Sequence, residues 1–353
     1  MKQRKGSLPG INNINSGPKS LESLNNVDIT RGKSFLPVMQ NFGQVMPSRR
    51  IIKKDGSYGQ VKDFNMPEIR EIRKPGFSGN FRTKPYVVFS FNEKAELYFS
   101  TLESEGTLLT DAEKILYNQL FLDLNGDGTT GNNVILTKLD SLQVYCGINE
   151  TASKVDLISN VIVDFNNTYS FTPKIGFAGD GSTGFINTKF NPTTVAGNYQ
   201  LNSAFTLVAG NLATNGHYVG GARRTSTDQS YIRLGVAGTA LDAPINASAG
   251  TLSFGTHTGE YYAAINRSDA STTSAYLNGV LTDTNTQASG TLLNATMVVP
   301  GFNSFPASPT ALNPIALNNR TYRFFATGGS LSDAEHLQLY NSLEKFRTDI
   351  QSL

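Results

Sequence analysis

The chain contains no tryptophan and a single cysteine, Cys146. One thiol excludes a disulfide framework and a cysteine-based metal cluster. Histidine is nearly as scarce: His217, His257 and His336 lie far apart, without the spacing that gathers ligands around zinc. No run of 18 apolar residues occurs, so no segment reads as a membrane-spanning helix. The N-terminus, MKQRKGSLPG, is basic but has no apolar run behind it, which is not the pattern of a secretory signal. Charged residues make up only 16% of the 353. Glycine (33 residues), Asn, Ser and Thr take their place beside a 39% hydrophobic share, a composition that suits an all-β domain rich in turns.

The signatures of common enzyme classes are also missing. There is no Gly-x-Ser-x-Gly, no His-Glu-x-x-His and no P-loop. Retaining glycoside hydrolysis needs a close pair of carboxyls. Residues 151–330 hold one glutamate, Glu260, and no Glu-x-Asp-x-Glu strand. Asp164, Asp180, Asp228, Asp242, Asp269 and Asp283 are scattered without a pattern. Catalysis is not expected.

Charge is unevenly placed. Residues 1–84 carry 16 Lys/Arg against 6 Asp/Glu, and the remainder carries 14 against 22. The first segment lacks sustained periodicity and reads as an extended basic arm that orders on a partner. Arg49, Arg50, Lys53 and Lys54 are its candidate anchoring residues. Interleaved aromatics, among them Phe35, Phe42, Tyr58 and Phe64, favour docking on protein over nucleic acid.

Residues 85–150 read as a small mixed or helical connector. VVFSF (87–91) is a strand candidate. LTDAEKILYNQLFLDL (109–124) is a helix opened by a Thr110/Glu113 capping box, with Leu116, Leu120 and Phe121 on one face. ILTKLDSLQVY (135–145) follows as a second helical or helix-to-strand segment. Between them, LDLNGDGTTGNN places Asp123, Asn125 and Asp127 at calcium-loop spacing, with Gly128 sixth. Position 12 is Val134, so the closing bidentate carboxylate is absent. No cofactor is expected; weak calcium binding at these three residues is the residual alternative to a Gly/Asn turn.

Residues 151–330 alternate short β-rich runs with turn clusters: VIVDF, TPKIGFAG, GFINTKF, AFTLVAG, HYVGGA, SYIRLGV, EYYAAINR, SAYLNGVLTD, TMVVPGF and TYRFFAT. That density is the density of a β-sandwich. Asn278-Gly279 signals a type I′ hairpin, and GFAGDGSTGF, between strands with no helix behind it, reads as a loop or hairpin and not a phosphate cradle. A second capping box, Ser332/Glu335, opens a final helix over 332–350 with Leu337, Tyr340, Leu343 and Phe346 as its apolar stripe.

The ordered series LTKLDSLQVYCGINETASKVDLIS, GFAGDGSTGFINTKFNP, GNYQLNSAFTLVAG, HYVGGARR, AYLNGV and FFATGGSLSDAEHLQLYNSLEKF resembles a domain of tailed-bacteriophage virion structural proteins, of the concanavalin A-like (laminin G-like) jelly-roll type. The resemblance covers roughly residues 105–353. It implies a mainly β fold: an antiparallel jelly-roll sandwich over 151–353 with a packing C-terminal helix, preceded by the helical segment and the arm. It further implies a non-enzymatic, surface-projecting virion component, a head fibre, tail fibre or decoration protein, assembled in the host cytoplasm. The arm would anchor it to capsid or tail proteins, and fibre-like proteins of this kind are commonly homotrimers. The domain class often binds glycans, which leaves open a tail-associated adhesin that recognises the host surface. For that role Tyr218, Arg223, Arg224, Asp228 and Tyr231 cluster in one turn-rich segment, and Tyr261, Tyr262 and Asn266 share a strand. Burial inside the sandwich is the competing expectation for these tyrosines.

Overall fold

The computed structural model describes residues 90–353 except 127–132, 196, 213–216, 235–240, 249 and 255–258, together with Ile51–Ile52 and Tyr58–Gly59. The chain divides into two units after Ser90. In the first, β1 (Ile51–Ile52) pairs antiparallel with β2 (Tyr58–Gly59). Arg49, Arg50, Lys53 and Lys54 lie outside the described residues. So does most of the strand expected at 87–91; Ser90 and Phe91 belong to no strand.

The second unit begins with helices α1 (Glu93–Ser104) and α2 (Asp111–Asn125), strand β3 (Leu139–Val144) and the short α3 (Glu150–Lys154). Strands β4 (Asp164–Asn166), β5 (Tyr169–Thr172), β6 (Gly176–Gly179) and β7 (Phe185–Asn187) follow, then α4 (Pro192–Val195). Next come β8 (Ala204–Leu212), β9 (His217–Arg223), β10 (Gln229–Leu234), β11 (Leu241–Asp242), β12 (Thr251–Leu252), β13 (Gly259–Arg267), β14 (Thr272–Leu277) and β15 (Val280–Thr286). The chain closes with β16 (Val298–Val299), β17 (Phe302–Ser304), β18 (Pro314–Ile315), β19 (Thr321–Gly328) and α5 (Asp333–Ser352).

Two large sheets, antiparallel except where β17 runs parallel to β9, form a sandwich of the jelly-roll class. One has eight strands, in the order β15-β14-β13-β8-β19-β6-β5, with β3 also paired to β19. The other has seven, in the order β18-β17-β9-β16-β7-β4, with β10 also paired to β9. Between the sheets, period-2 alternation delivers Val208, Tyr261, Ala263, Ile265, Tyr322 and Phe325 from one and Ile186, Val219, Ile232, Leu234 and Val299 from the other. TMVVPGF does not form one strand: it divides into β16 and β17 around Pro300, which has no N–H to continue a ladder. TPKIGFAG likewise divides, with Pro173 to Ile175 turning the chain from β5 into β6.

The eight-stranded sheet is buried on both faces. Phe205, Leu207, Ala209, Tyr262, Ala264, Tyr276, Phe324 and Ala326 point away from the sandwich into a second core, closed by Tyr98, Tyr117, Leu120, Phe121, Leu339, Leu343 and Phe346 of the helices. Strands covered on both sides need apolar residues at successive positions, which is why AFTLVAG and EYYAAINR look continuous. Residues 91–150 therefore contribute a strand and two helices to the same unit as the sandwich.

Of the two alternatives for 135–145, helical or helix-to-strand, the segment takes no helix: a turn at Leu136 to Lys138 leads into β3, which pairs with β19 from Leu139↔Gly328 to Val144↔Phe324. Its pairing partner decides its state, because Phe324 and Phe325 offer an open ladder that a helix could not use. The helix over Glu93–Ser104, capped by Asn92, is additional to the expected elements.

Both capping boxes form. Thr110 accepts from the Glu113 N–H, Ser332 from the Glu335 N–H, and each glutamate returns to its cap. The buried stripe of α5 is His336, Leu339, Leu343, Phe346 and Ile350, and Leu337 is exposed. Steps of three drift across a 3.6-residue face, so a stripe counted from Leu337 starts in solvent and reaches the core only at Leu343 and Phe346. The Asn278-Gly279 turn has positive φ at both residues (52° and 77°), as type I′ requires. A side chain at Gly279 would strike Leu337 and Tyr340 of α5, so this turn packs against the helix only as glycine.

Candidate functional site: the outer face of the seven-stranded sheet

Helices α1, α2 and α5 cover the outer face of the eight-stranded sheet. The outer face of the other sheet carries aromatic and basic side chains instead. Strands β9 and β10 pair from Gln229↔Arg223 to Leu234↔His217, and an irregularity at Ile232/Arg233 leaves Val219 without a partner. This bulge lets Val219, Ile232 and Leu234 face the core while Tyr218 and Arg233 pair on the outside.

Tyr218, Tyr231 and Phe302 meet there. Ring centroids are 5.3 Å apart for Tyr218–Tyr231, 4.5 Å for Tyr218–Phe302 and 5.1 Å for Tyr231–Phe302. The Arg233 guanidinium lies 5.1 Å from the Tyr218 ring centroid. Tyr231 and Phe302 are buried, and Tyr218 is the half-buried member. At the other end of β9, the Arg223 guanidinium lies 4.5 Å from the Phe305 ring centroid. Phe305 is 52% exposed and has φ of 46°. Its N–H donates to the Arg223 carbonyl at 2.6 Å, which ties the ledge to the strand. Five residues separate Tyr218 from Arg223, so the face runs about 15 Å along β9.

Three of the five expected residues, Tyr218, Tyr231 and Arg223, thus share one face. Arg224 and Asp228 do something else. They close the turn between β9 and β10: the Arg224 N–H donates to the Asp228 carbonyl at 3.0 Å, and Arg224 Nη1 donates to the Asn294 carbonyl at 3.0 Å. Asp228 is buried and accepts from the Asn294 N–H at 3.2 Å. Burial raises its pKa, opposed by that N–H and by Arg224. Tyr261, Tyr262 and Asn266 are buried and are corrected from candidate binding residues. Tyr261 lies between the sheets, Tyr262 donates to Glu344 at 2.9 Å, and Asn266 accepts from the Leu331 N–H at 2.9 Å. Phe302 and Phe305 were not among the expected residues; their signal is a pair of aromatics inside the polar, proline-flanked stretch PGFNSFP.

Five described carboxylates of the sandwich are occupied by local bonds. Asp164 pairs with Lys189 and accepts from Asn187. Asp180 accepts from the N–H groups of Ser182, Thr183 and Gly184, which holds its pKa far below the usual carboxylate range. Asp269 caps Ser271 and Thr272 in the same way, which lowers its pKa to about 2. Asp283 accepts from Ser253, and Glu260 pairs with Arg323, the extra residue at a bulge in β19.

The half calcium loop lies only partly within the described residues. Asp123 is buried on α2 and accepts from Gln119 at 2.8 Å. Asn125 is the last residue of α2, and Asp127 lies outside the described residues. Gln338 of α5 bridges the two sides, donating to the Asp123 and Asn133 carbonyls at 2.8 and 2.9 Å. No group of three His, Cys, Asp or Glu gathers among the described residues. Cys146 is buried, and burial pushes its thiol up to about 12.

No family model and no curated protein matches the chain. Among solved structures, it is similar to domain 4 of AbnA, a GH43 extracellular arabinanase from Geobacillus stearothermophilus, in complex with arabinotriose (15% identity, 57% of this chain and 98% of that chain, TM-score 0.40). It is also similar to the botulinum neurotoxin serotype D binding domain (14% identity, 58% and 51% covered, TM-score 0.41). A third is botulinum neurotoxin type C, which depends on interaction with two ganglioside molecules to enter cells (14% identity, 58% and 51% covered, TM-score 0.43). The chain spans about half the length of the neurotoxin structures it matches.

Proposed function

We propose that the chain is a non-catalytic carbohydrate-binding protein that engages glycans through the exposed Phe305 ring and the half-buried Tyr218, with the buried Tyr231 and Phe302 packed beneath them as support. The observation that carries this reading is Phe305. A bulky side chain at positive φ is a backbone outlier, and such strain clusters at binding and catalytic sites. Here the strained backbone presents an aromatic ring to solvent. The C–H groups on one face of a pyranose stack on such a ring, whose π face is electron-rich. Guanidinium and hydroxyl groups beside it then address the sugar hydroxyls. The carboxylates held in caps and ion pairs support binding over acid–base chemistry.

A glycan array probed with the full chain tests this. Wild type is expected to bind, and Phe305→Ala and Tyr218→Ala each to weaken binding about tenfold, the worth of one lost ring stack. Unchanged binding by both variants would remove the site assignment.

The charge partition supports docking of the basic residues 1–84 on a partner; joined to the resemblance to tailed-phage virion proteins, it motivates a second, compatible proposal: display on such a particle, as a head fibre or tail-associated fibre. The acidic body would project outward as part of a homotrimer while the basic residues 1–84 dock on capsid or tail proteins. Deleting residues 1–84 is then expected to abolish incorporation into particles. Incorporation of the truncated chain at wild-type levels would contradict the arm's role.

A further inference from the structure

The Phe305 ledge has a charge that its own surroundings do not neutralise. Arg223 stacks on Phe305 and forms no ion pair among the described residues, and its Nε is buried without a hydrogen-bond partner. The neighbouring charges face elsewhere. Arg224 is spent on the Asn294 carbonyl. The Asp228 carboxylate is buried against the Asn294 N–H. A half-buried guanidinium beside an exposed aromatic ring offers two things at once: a surface for a sugar ring and a planar fork of N–H donors.

Resting on the carbohydrate-binding reading, we infer that this ledge selects glycans bearing a carboxylate, a uronic or a sialic acid, with the sugar stacked on Phe305 and its carboxylate against Arg223. A neutral hydroxyl satisfies one N–H of the fork. A carboxylate satisfies the two outer Nη groups together, in the charge-assisted bidentate geometry for which arginine is shaped. Partial burial strengthens the interaction relative to open water. The body as a whole is acidic, carrying 22 Asp/Glu against 14 Lys/Arg in residues 85–353, so diffuse positive charge cannot supply the same preference.

Matched ligand pairs test the inference on the full chain by titration calorimetry. Oligogalacturonate is compared with a neutral galacto-oligosaccharide of the same length, and 3′-sialyllactose with lactose. In at least one pair the acidic member is expected to bind about tenfold tighter, the discrimination of one charge-assisted pair; which pair responds distinguishes uronate from sialate. Arg223→Gln is expected to reduce the acidic ligand to the affinity of its neutral partner, and Arg223→Lys to restore part of the difference. Melting temperatures of both variants report that the fold is intact. Equal affinity within both pairs, or discrimination that survives Arg223→Gln, would overturn the inference and leave the carbohydrate reading standing. Failure of all four sugars and of the array would remove both.

Discussion

Replacing Arg267 by methionine is expected to cost about 3–5 kcal/mol of folding stability, read from urea or thermal unfolding. Arg267 is fully buried at the end of β13. It follows Tyr261, Ala263 and Ile265 on the inward-facing positions, so its side chain enters the sandwich. There it donates from Nε to the Ile245 carbonyl at 2.8 Å and from Nη1 to the Gln287 carbonyl at 2.8 Å and the Asp269 carbonyl at 3.3 Å. Burial lowers its pKa, opposed by Tyr199 and by the Asp269 charge. Its work is to satisfy backbone acceptors of three loops that close one end of the sandwich. Methionine fills much of the volume but leaves those carbonyls buried and unpaired. Lysine keeps the charge without the fork and is expected to recover part of the loss. A methionine variant within about 1 kcal/mol of wild type would show that the loops find other donors.

The second large effect is acid sensitivity centred on His336. Its ring stacks on Tyr276 at 3.8 Å between centroids and meets Phe205 edge-on at 5.9 Å. Its Nε2 is buried without a hydrogen-bond partner. Burial lowers its pKa from 6.5 to about 3. Asp333, one turn before it on α5, accepts from the Tyr276 hydroxyl at 2.7 Å. The unfolded chain therefore binds a proton between pH 6.5 and 3 that the folded chain refuses. Stability from this site is complete above pH 6.5 and falls by about 1.4 kcal/mol per pH unit below it, to a total of about 4–5 kcal/mol near pH 3.

His336→Leu is expected to hold neutral-pH stability within about 1 kcal/mol, since it removes an unpartnered polar atom at similar volume. It should also flatten the acid limb relative to wild type. Glu150, Glu335 and Glu344 have lowered pKa values and also withdraw stability in acid, whereas the raised Asp156 and Asp228 act in the opposite sense. All five are common to both proteins, so the difference between the two curves isolates the histidine. Parallel curves would mean that His336 is protonated in the fold.

Legibility in the sequence followed the range of the interaction that decides each element. Capping boxes are local, and both helices that carry one begin where Thr110 and Ser332 placed them. Period-2 runs are local as well, and strands such as β8, β13 and β19 occupy their expected segments. The β3 segment was ambiguous because LDSLQV suits helix or strand until a partner strand is known. The α1 segment carries weak amphipathic signal, and packing of Tyr98 and Phe99 against α2 and the sheet determines it. Arg267 escaped notice because an arginine at an inward strand position is explained only by distant carbonyls.

The candidate site was half legible for the same reason. Tyr218, Arg223 and Tyr231 are near one another in sequence and share a face. Phe302 and Phe305 reach that face from a strand laid parallel to β9, a contact no local pattern announces. The calcium spacing at Asp123 shows the converse: a local motif whose first residue the fold buries and bonds to Gln119.

The most direct test of the central claim is the binding of the full-length protein to a glycan array, measured side by side with Phe305→Ala at matched folded concentration. Selective binding by wild type, weakened about tenfold in the variant, is the expected result. Equal profiles for the two proteins, or no glycan bound by wild type, would contradict a carbohydrate-binding role for the Phe305 ledge.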